Sequence, residues 1–448
     1  MNLIEKYNVP GPRYTSYPTV PYWNNKPFEV NTWKERLKYS FLNYGGRLSI
    51  YIHLPFCESL CTYCGCNTRI TKNHQVEQKY IDSVLKEWTL YLGLFPTRPV
   101  IKELHLGGGT PTFFSSTNLK RLINGILNTS ILDAEAELGF EGHPANTRFD
   151  HLKTLRELGF NRVSFGIQDF DPNVQRLINR KQSFEEVKEV VDQARSLGYS
   201  SINFDLIYGL PGQSVDTIRF TMDQTMSLKP DRIAFYSYAH IPKLKPAQKS
   251  YESHLPDQLS KQAFYYTGKK LLLENGYADI GMDHFALQND SLYHSFRKGS
   301  LHRNFMGYTT KKTRVLVGLG ASSIGDVWSA FNQNEKRVEA YQELVENGEF
   351  PIVKGHVCTP EDMILRHQIL NLICKYRTSW TDAEWRAIGQ SVNQELLDEL
   401  EFDGLITRSK NKIFITQAGK PFVRNICMAF DAHLWENKDV QASFSKTI

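Results

Sequence analysis

The stretch YIHLPFCESLCTYCGCN, Tyr51 to Asn67, decides how the chain is read. It opens as a strand, in which Tyr51 and His53 alternate with Ile52 and Leu54 and so fall on opposite faces. Tyr51 and His53 are therefore expected to point into one cavity. The stretch then packs four of the chain's seven cysteines into ten residues. Cys57, Cys61 and Cys64 stand at CxxxCxxC spacing, and Cys66 follows two residues later. Thiolates are soft ligands suited to zinc and to iron–sulfur centres. A structural zinc site would close a tetrahedron with all four sulfurs, usually drawn from two separated pairs. Cys64 and Cys66, separated by a single residue, argue against that arrangement. A four-iron cluster held by three cysteines leaves one iron open to another ligand. Tyr63 sits directly before the third cysteine.

Outward from this loop, strand-like and helix-like patterns alternate from Leu48 to about Ala286. The strand candidates are LSIYIHL (48–54), IKELHLG (101–107), AELGFEGH (136–143), RVSFGIQ (162–168), INFDLIYGL (202–210) and RIAFYSYAH (232–240). Most are apolar on both faces, as parallel strands under helices must be. Between them lie helical patterns such as HQVEQKYIDSVLKEWTLYLG and SFEEVKEVVDQARSLG, which stop at glycine. Six such units predict an α/β fold, a partial βα barrel, with a doubly wound open sheet as the alternative. In a barrel, polar residues at the ends of different strands converge on one mouth. Here those ends are the cysteine loop, GGGTPT, EGHP, QDF, DLIYGLP and YAH.

The flanks differ. Residues 1–45 are expected to be an N-terminal extension over the active site, 46–345 the βα-barrel domain, and 346–448 a mainly helical, winged-helix-like C-terminal domain. In the last, EDMILRHQILNLICKY, DAEWRAIG and VNQELLDELEFDG read as helices, LITRSKNKIFITQ as a hairpin and AGKPFVRNICMAFDAHL as a final helix. Winged helices often bind DNA, but this one offers no basic recognition helix. A net charge of +5 over 448 residues gives no ground for nucleic-acid binding. No apolar run is long enough for a membrane span, and no secretory signal is seen, so a cytoplasmic protein is expected. Cys358, Cys374 and Cys427 lie alone in apolar surroundings and read as buried thiols.

CxxxCxxC with an aromatic before the third cysteine resembles the radical S-adenosylmethionine (SAM) superfamily. The motifs GPRYTSYPT (11–19), YIHLPFC (51–57), CGCN (64–67), GGGTPT (107–112), SFGIQDF (164–170), FDLIYGLPGQ (204–213), GMDHFA (281–286), LHRNFMGYTT (301–310) and RNICMAFD (425–432) narrow the resemblance to the oxygen-independent coproporphyrinogen III dehydrogenase family. That resemblance implies a radical SAM partial barrel. It also implies a [4Fe-4S] cluster on Cys57, Cys61 and Cys64, two SAM molecules per site, and a 5′-deoxyadenosyl radical. The implied reaction turns two propionates of coproporphyrinogen III into vinyl groups, giving protoporphyrinogen IX for haem synthesis. Carried over by motif, Tyr51, Gly108, Glu141 and Ile324 would contact the first SAM. Tyr63, Gly109, Thr110, Gln168, Arg180, Asp205 and Ala239 would contact the second. Tyr63 stands where relatives are expected to hold Phe, and EGHP where EIDP is expected, which makes His143 a local departure. Cys66 and His53 are the candidate catalytic residues. Arg13, Tyr14, Tyr17, His302 and Arg303 are candidates for the substrate's propionates. A low-potential donor such as a flavodoxin or ferredoxin and a monomeric state are also expected. The alternatives are a related radical SAM haem chaperone or an anaerobic haem-degrading methyltransferase. Both are expected to carry an aromatic residue at the position of Cys66.

Overall fold

A computed structural model describes residues 3–23, 28–437 and 444–447. The remaining positions of the expected extension and C-terminal domain lie outside the described residues. The centre of the molecule is a run of parallel strands: β1 (Arg47–Leu54), β2 (Val100–Gly108), β3 (Ile131–Gly142), β4 (Arg162–Gln168), β5 (Ser201–Tyr208) and β6 (Arg232–Ser237), paired in that order. Helices return the chain between them, among them α1 (Val76–Leu92), α2 (Ser116–Leu127), α3 (Phe184–Ser196) and α4 (Val215–Leu228). Isoleucine, leucine, valine and phenylalanine side chains of these strands and helices share one buried core. Three of the helices are started by serine N-caps: Ser115, Ser183 and Ser214 each accept a bond from an amide three residues on.

The barrel is partial, and both of its edges are extended. Past β6 the sheet adds β7 (Tyr277–Gly281) and β8 (His284–Leu287), antiparallel, in the order β6-β8-β7. Next comes a separate hairpin, β9 (His302–Asn304) and β10 (Gly307–Thr309). On the other edge, β11 (Leu316–Leu319) pairs parallel with β1. It carries β12 (Ile324–Asp326), β13 (Ala330–Asn334) and β14 (Ile352–Val357), all antiparallel, to complete a twelve-stranded sheet among the described residues. The sheet thus runs past residue 345. The helix Val30–Asn43 packs into the same core through Trp33, Leu37 and Phe41, with Phe41 stacked on Phe95 at 4.2 Å.

A second core joins three parts of the chain: the N-terminal strap around Tyr7, Tyr14 and Tyr17, residues 280–308, and the C-terminal region. Helix α5 (Pro360–Lys375), β15 (Arg377–Ser379), helices α6 (Asp382–Ile388) and α7 (Gln394–Phe402), then β16 (Ile406–Ser409) and β17 (Lys412–Ile415) follow one another in winged-helix order. Their three strands pair as β15-β17-β16. The single last helix expected from sequence is instead two short ones, Val423–Met428 and Ala432–Glu436. Asp431 breaks it: its carboxylate accepts the Leu434 amide at 3.1 Å and starts a new helix rather than continuing the old one. Cys374 and Cys427 are buried in this core, and Cys358 in a small cluster with Trp23 and Phe331.

Candidate active site

The carboxyl ends of the parallel strands open into a cavity of about 360 Å³. The loop after β1 delivers Cys57, Cys61, Cys64 and Cys66 to its wall, together with Tyr63. A turn in which the Cys64 amide donates to the Cys61 carbonyl at 3.1 Å brings the second and third sulfurs to one side. The Cys57 sulfur lies 3.4 Å from the Thr110 hydroxyl. Arg180 reaches across from the segment after β4: Nη1 donates to the Cys61 sulfur at 3.5 Å and Nη2 to the Gly166 carbonyl. Its Nε is buried with no partner. The thiol of Cys66 stands within hydrogen-bond reach of Cys64.

The glycines of GGGTPT bring strand β2 close to the loop. Gly108 has φ +113°, and a Cβ there would meet the His53 ring at 2.5 Å; one on Gly109 would meet the Pro55 backbone at 2.6 Å. Tyr51 and His53 share a face as expected, with the Tyr51 hydroxyl 3.1 Å from His53 Nδ1. Neither lines the cavity. His53 Nε2 is 2.9 Å from the Asn67 carbonyl, and its buried ring lies behind Gly108 with both nitrogens engaged. Burial lowers its pKa, so it rests as a neutral imidazole.

Glu141, from the end of β3, faces the cavity. Burial works to raise its pKa. The His105 ring at 3.4 Å and the Gly108 amide at 3.2 Å outweigh that and hold the carboxyl below its usual range. Asp205 on β5 accepts from the Ser164 hydroxyl at 2.8 Å and Asn203 Nδ2 at 3.0 Å, yet burial pushes its pKa up to about 6. Gln168 ends β4 at φ +68°. His143, the departure in EGHP, caps a short turn by accepting the Ala145 amide at 3.2 Å, and burial holds it near pKa 3.

Two of the expected SAM contacts stand apart. Ala239 is not on the cavity wall, but its carbonyl and that of Tyr63 both accept from Gln248 Nε2 at 3.3 Å, so one buried amide joins them. Ile324 begins β12, two strands from Tyr51, and packs near Trp23 and Phe331. Tyr14 and Tyr17 are each 1% exposed in the second core. The Tyr14 hydroxyl donates to Asp431 at 3.0 Å and the Tyr17 hydroxyl accepts the Ala432 amide at 3.2 Å. They anchor the strap and are not available to a substrate. His302 is buried, and burial followed by the nearby Arg366 charge drives its pKa down to about 4.

Sequence reasoning missed His105, Arg162, Arg232, Tyr236, His284 and Tyr308, all on the cavity wall. Arg162 pairs with Glu137, and Arg232 pairs with Asp290 at 2.8 Å, so the floor of the cavity is a buried ionic network. The signal for His105 and Arg232 was strand alternation; His284 and Tyr308 lay inside motifs already singled out.

The comparisons with known proteins agree with this geometry. Residues 51–225 match the family model of the radical SAM superfamily. The chain is 38% identical over 444 residues to an oxygen-independent coproporphyrinogen III oxidase of Pseudomonas aeruginosa, covering 97% of this chain and 95% of that one. It is 37% identical to the protein of the same name from Escherichia coli, covering 100% and 98%. The solved structure of the Escherichia coli coproporphyrinogen III oxidase, described as a radical SAM enzyme, superposes with a TM-score of 0.87 at 36% identity over 94% of this chain and 97% of that one. With the cysteine loop at the mouth of a partial barrel and this similarity along both chains, the protein belongs to the family of oxygen-independent coproporphyrinogen III oxidases within the radical SAM superfamily.

Proposed function

We propose that the protein converts two propionate side chains of coproporphyrinogen III into vinyl groups without oxygen, yielding protoporphyrinogen IX for haem synthesis. Cys57, Cys61 and Cys64 would hold a [4Fe-4S] cluster, and SAM would be the co-substrate. The observation that carries this reading is the three-cysteine loop at the mouth of the barrel, in a chain similar over its full length to oxidases of that name. The donor set fits the group: soft thiolates line one side of the cavity and the Arg180 guanidinium lies against the Cys61 sulfur, compensating negative charge there. When bound, the cluster and SAM supply one-electron chemistry strong enough to take a hydrogen atom from an unactivated carbon.

The protein's own groups bind, orient and exclude water. Glu141 is held ionised and suits the ammonium group of a SAM molecule. Gly108 and Gly109 let the end of β2 close on His53 and Pro55 and so shape the wall beside the cysteine loop, and the Tyr63 ring offers a face for adenine. Tyr51, Gly108, Glu141 and Ile324 are assigned to one SAM, and Tyr63, Gly109, Thr110, Gln168, Arg180, Asp205 and Ala239 to a second. Ile324 and Ala239 stand furthest from the cavity and are the least supported of these. His53 is a positioning residue that sets Tyr51 and the Asn67 end of the loop. Cys66 lies outside the cluster's ligand set and beside the reacting centre. Each propionate loses carbon dioxide, one hydrogen atom and one electron. The reaction therefore needs a low-potential donor, of flavodoxin or ferredoxin type, and a separate electron acceptor. On this proposal the protein works as a monomer in the cytoplasm; among the described residues no helix is long and apolar enough to cross a membrane.

Anaerobic turnover tests the proposal. Reconstituted protein with coproporphyrinogen III, SAM and a reductant is expected to form protoporphyrinogen IX and 5′-deoxyadenosine. Absence of a vinyl product with the cluster verifiably reduced would overturn it. Cys66→Ser is expected to keep its iron and lose turnover; a loss of iron would make Cys66 a ligand.

A further inference from the structure

Among the described residues, Arg303 is a buried cation with neither a hydrogen-bonding nor an ionic partner. Arg303 is 5% exposed, and its Nε and Nη1 are buried with no hydrogen-bond partner. Other buried arginines are answered: Arg162 by Glu137, Arg232 by Asp290, Arg366 by Asp326, Arg424 by the carbonyls of Gly11, Pro12 and Lys446, and Arg180, apart from its Nε, by the Gly166 carbonyl and the Cys61 sulfur. Arg303 has only a ring. Its guanidinium lies 4.9 Å from the centre of Tyr308, directly across the β9–β10 hairpin. Cross-strand partners share one face of a hairpin, and Tyr308 lines the catalytic cavity. Arg303 therefore lies on the Tyr308 face of the hairpin, against the buried side of that ring and not itself on the cavity wall, while its neighbours His302 and Asn304 point the other way.

The carboxylate that faces Arg303, Asp283, is shared with another arginine. The groups that feel Arg303 are Tyr236, Asp283, His284, Tyr308, Cys374 and Cys427. Asp283 is already engaged by Arg13 at 3.5 Å. His284 is buried and held neutral, with a pKa lowered to about 3. A desolvated, unpaired charge is costly, and folded proteins keep one where a ligand completes it. We propose that Arg303 is the binding subsite for a carboxylate of the substrate, at the end of the cavity walled by Tyr236, His284 and Tyr308. The inference rests on the porphyrinogen reading above, whose substrate brings four propionates to a site with few free cations. Of the pair His302 and Arg303 singled out in the sequence, it selects the second.

The test uses the full-length protein with its cluster. Arg303→Met keeps an unbranched apolar stem and removes the guanidinium and its charge. It is expected to retain its iron and to melt at or above the parent's temperature, because replacing an unpaired buried charge by an apolar side chain relieves a cost. Its Kd for coproporphyrin III, read by fluorescence titration, and its KM are expected to rise roughly 10- to 100-fold, with kcat changed less than about threefold. Arg303→Lys should recover part of the affinity. The tetramethyl ester of coproporphyrin III should bind parent and variant alike. Unchanged Kd and KM in Arg303→Met would overturn the subsite, as would an equal loss of affinity for the ester. A lowered melting temperature with normal affinity would make Arg303 a structural cation instead. If Arg303→Met does not fold, Arg303→Lys and Arg303→Gln decide by the same titration. A parent that binds coproporphyrin III through Arg303 yet makes no vinyl product sinks the proposed reaction and leaves the subsite standing. A parent that makes the product while Arg303→Met is unaffected does the reverse.

Discussion

The molecule holds cysteines in two settings. Cys57, Cys61, Cys64 and Cys66 sit in a loop at the cavity, where sulfur meets sulfur, a threonine hydroxyl and an arginine. Cys358, Cys374 and Cys427 are surrounded by apolar side chains, and burial pushes the thiols of the first two up to about 12. The first group faces a cavity open to a partner from outside the chain; the second is complete as folded. The same contrast separates the two carboxylates Asp205 and Asp431. Both are raised to about 6 by burial. Asp205 opens on the cavity, whereas Asp431 is bonded to Tyr14 and the Leu434 amide inside the second core. What distinguishes a site from a core here is where the polar group's unmet demand points.

Substitutions can break that contrast. Cys61→Ala is expected to lose the cluster absorption near 400 nm and to cut turnover to below about a thousandth of the parent's. Cys427→Ala should keep both. Equal iron loss in the two would erase the distinction. Leu372→Ala, in the second core, is expected to cost about 2–5 kcal/mol in denaturant unfolding while the cluster spectrum stays intact. A parallel loss of iron would mean that the two regions do not stand apart.

The carboxylates give a pH test. Each has a folded pKa above its ordinary value of 3.8, so the folded state holds the proton more tightly. The stability this contributes is fully present below about pH 4 and is lost as pH rises through 6, about 1–3 kcal/mol for each. Asp205→Asn and Asp431→Asn should each flatten the decline between pH 4 and 6. Added SAM, whose ammonium and sulfonium favour the charged carboxylate, should flatten the decline that Asp205 contributes and leave that of Asp431. A decline unchanged by SAM would remove Asp205 from the ligand set. At the small end, Phe402→Ser, at a ring 90% exposed, should move stability by less than about 0.5 kcal/mol.

The parallel strands were legible because their residues are apolar on both faces, and β1, β2 and β4 fall within a residue of the expected limits. The added edges were not. Strand β13 reads AFNQN, and its buried Asn334 is held by the Gly320 carbonyl and Ser323 and by Glu87, a partner far off in sequence. No periodicity announces such a strand. The cysteine loop stood out from its spacing and its place after the first strand, and its four cysteines do line the cavity. Tyr14 and Tyr17 were misplaced because a tyrosine beside an arginine looks the same whether its hydroxyl meets a substrate or Asp431. Gln248 was invisible, since joining Tyr63 to Ala239 is a property of the folded loop.

Strand β1 is covered on one side only by β11, through pairs that run from Ser49↔Leu316 to Ile52↔Leu319. A ribosome adds residues at about 5–20 per second, so the neighbouring edge of β1 stays bare for roughly 10–50 s after the cysteine loop has emerged. During synthesis the thiols of that loop are thus attached to an unfinished sheet. The barrel wall beside them is completed only once Leu316–Leu319 have been made, so assembly of this centre waits on a segment far downstream of the cysteines.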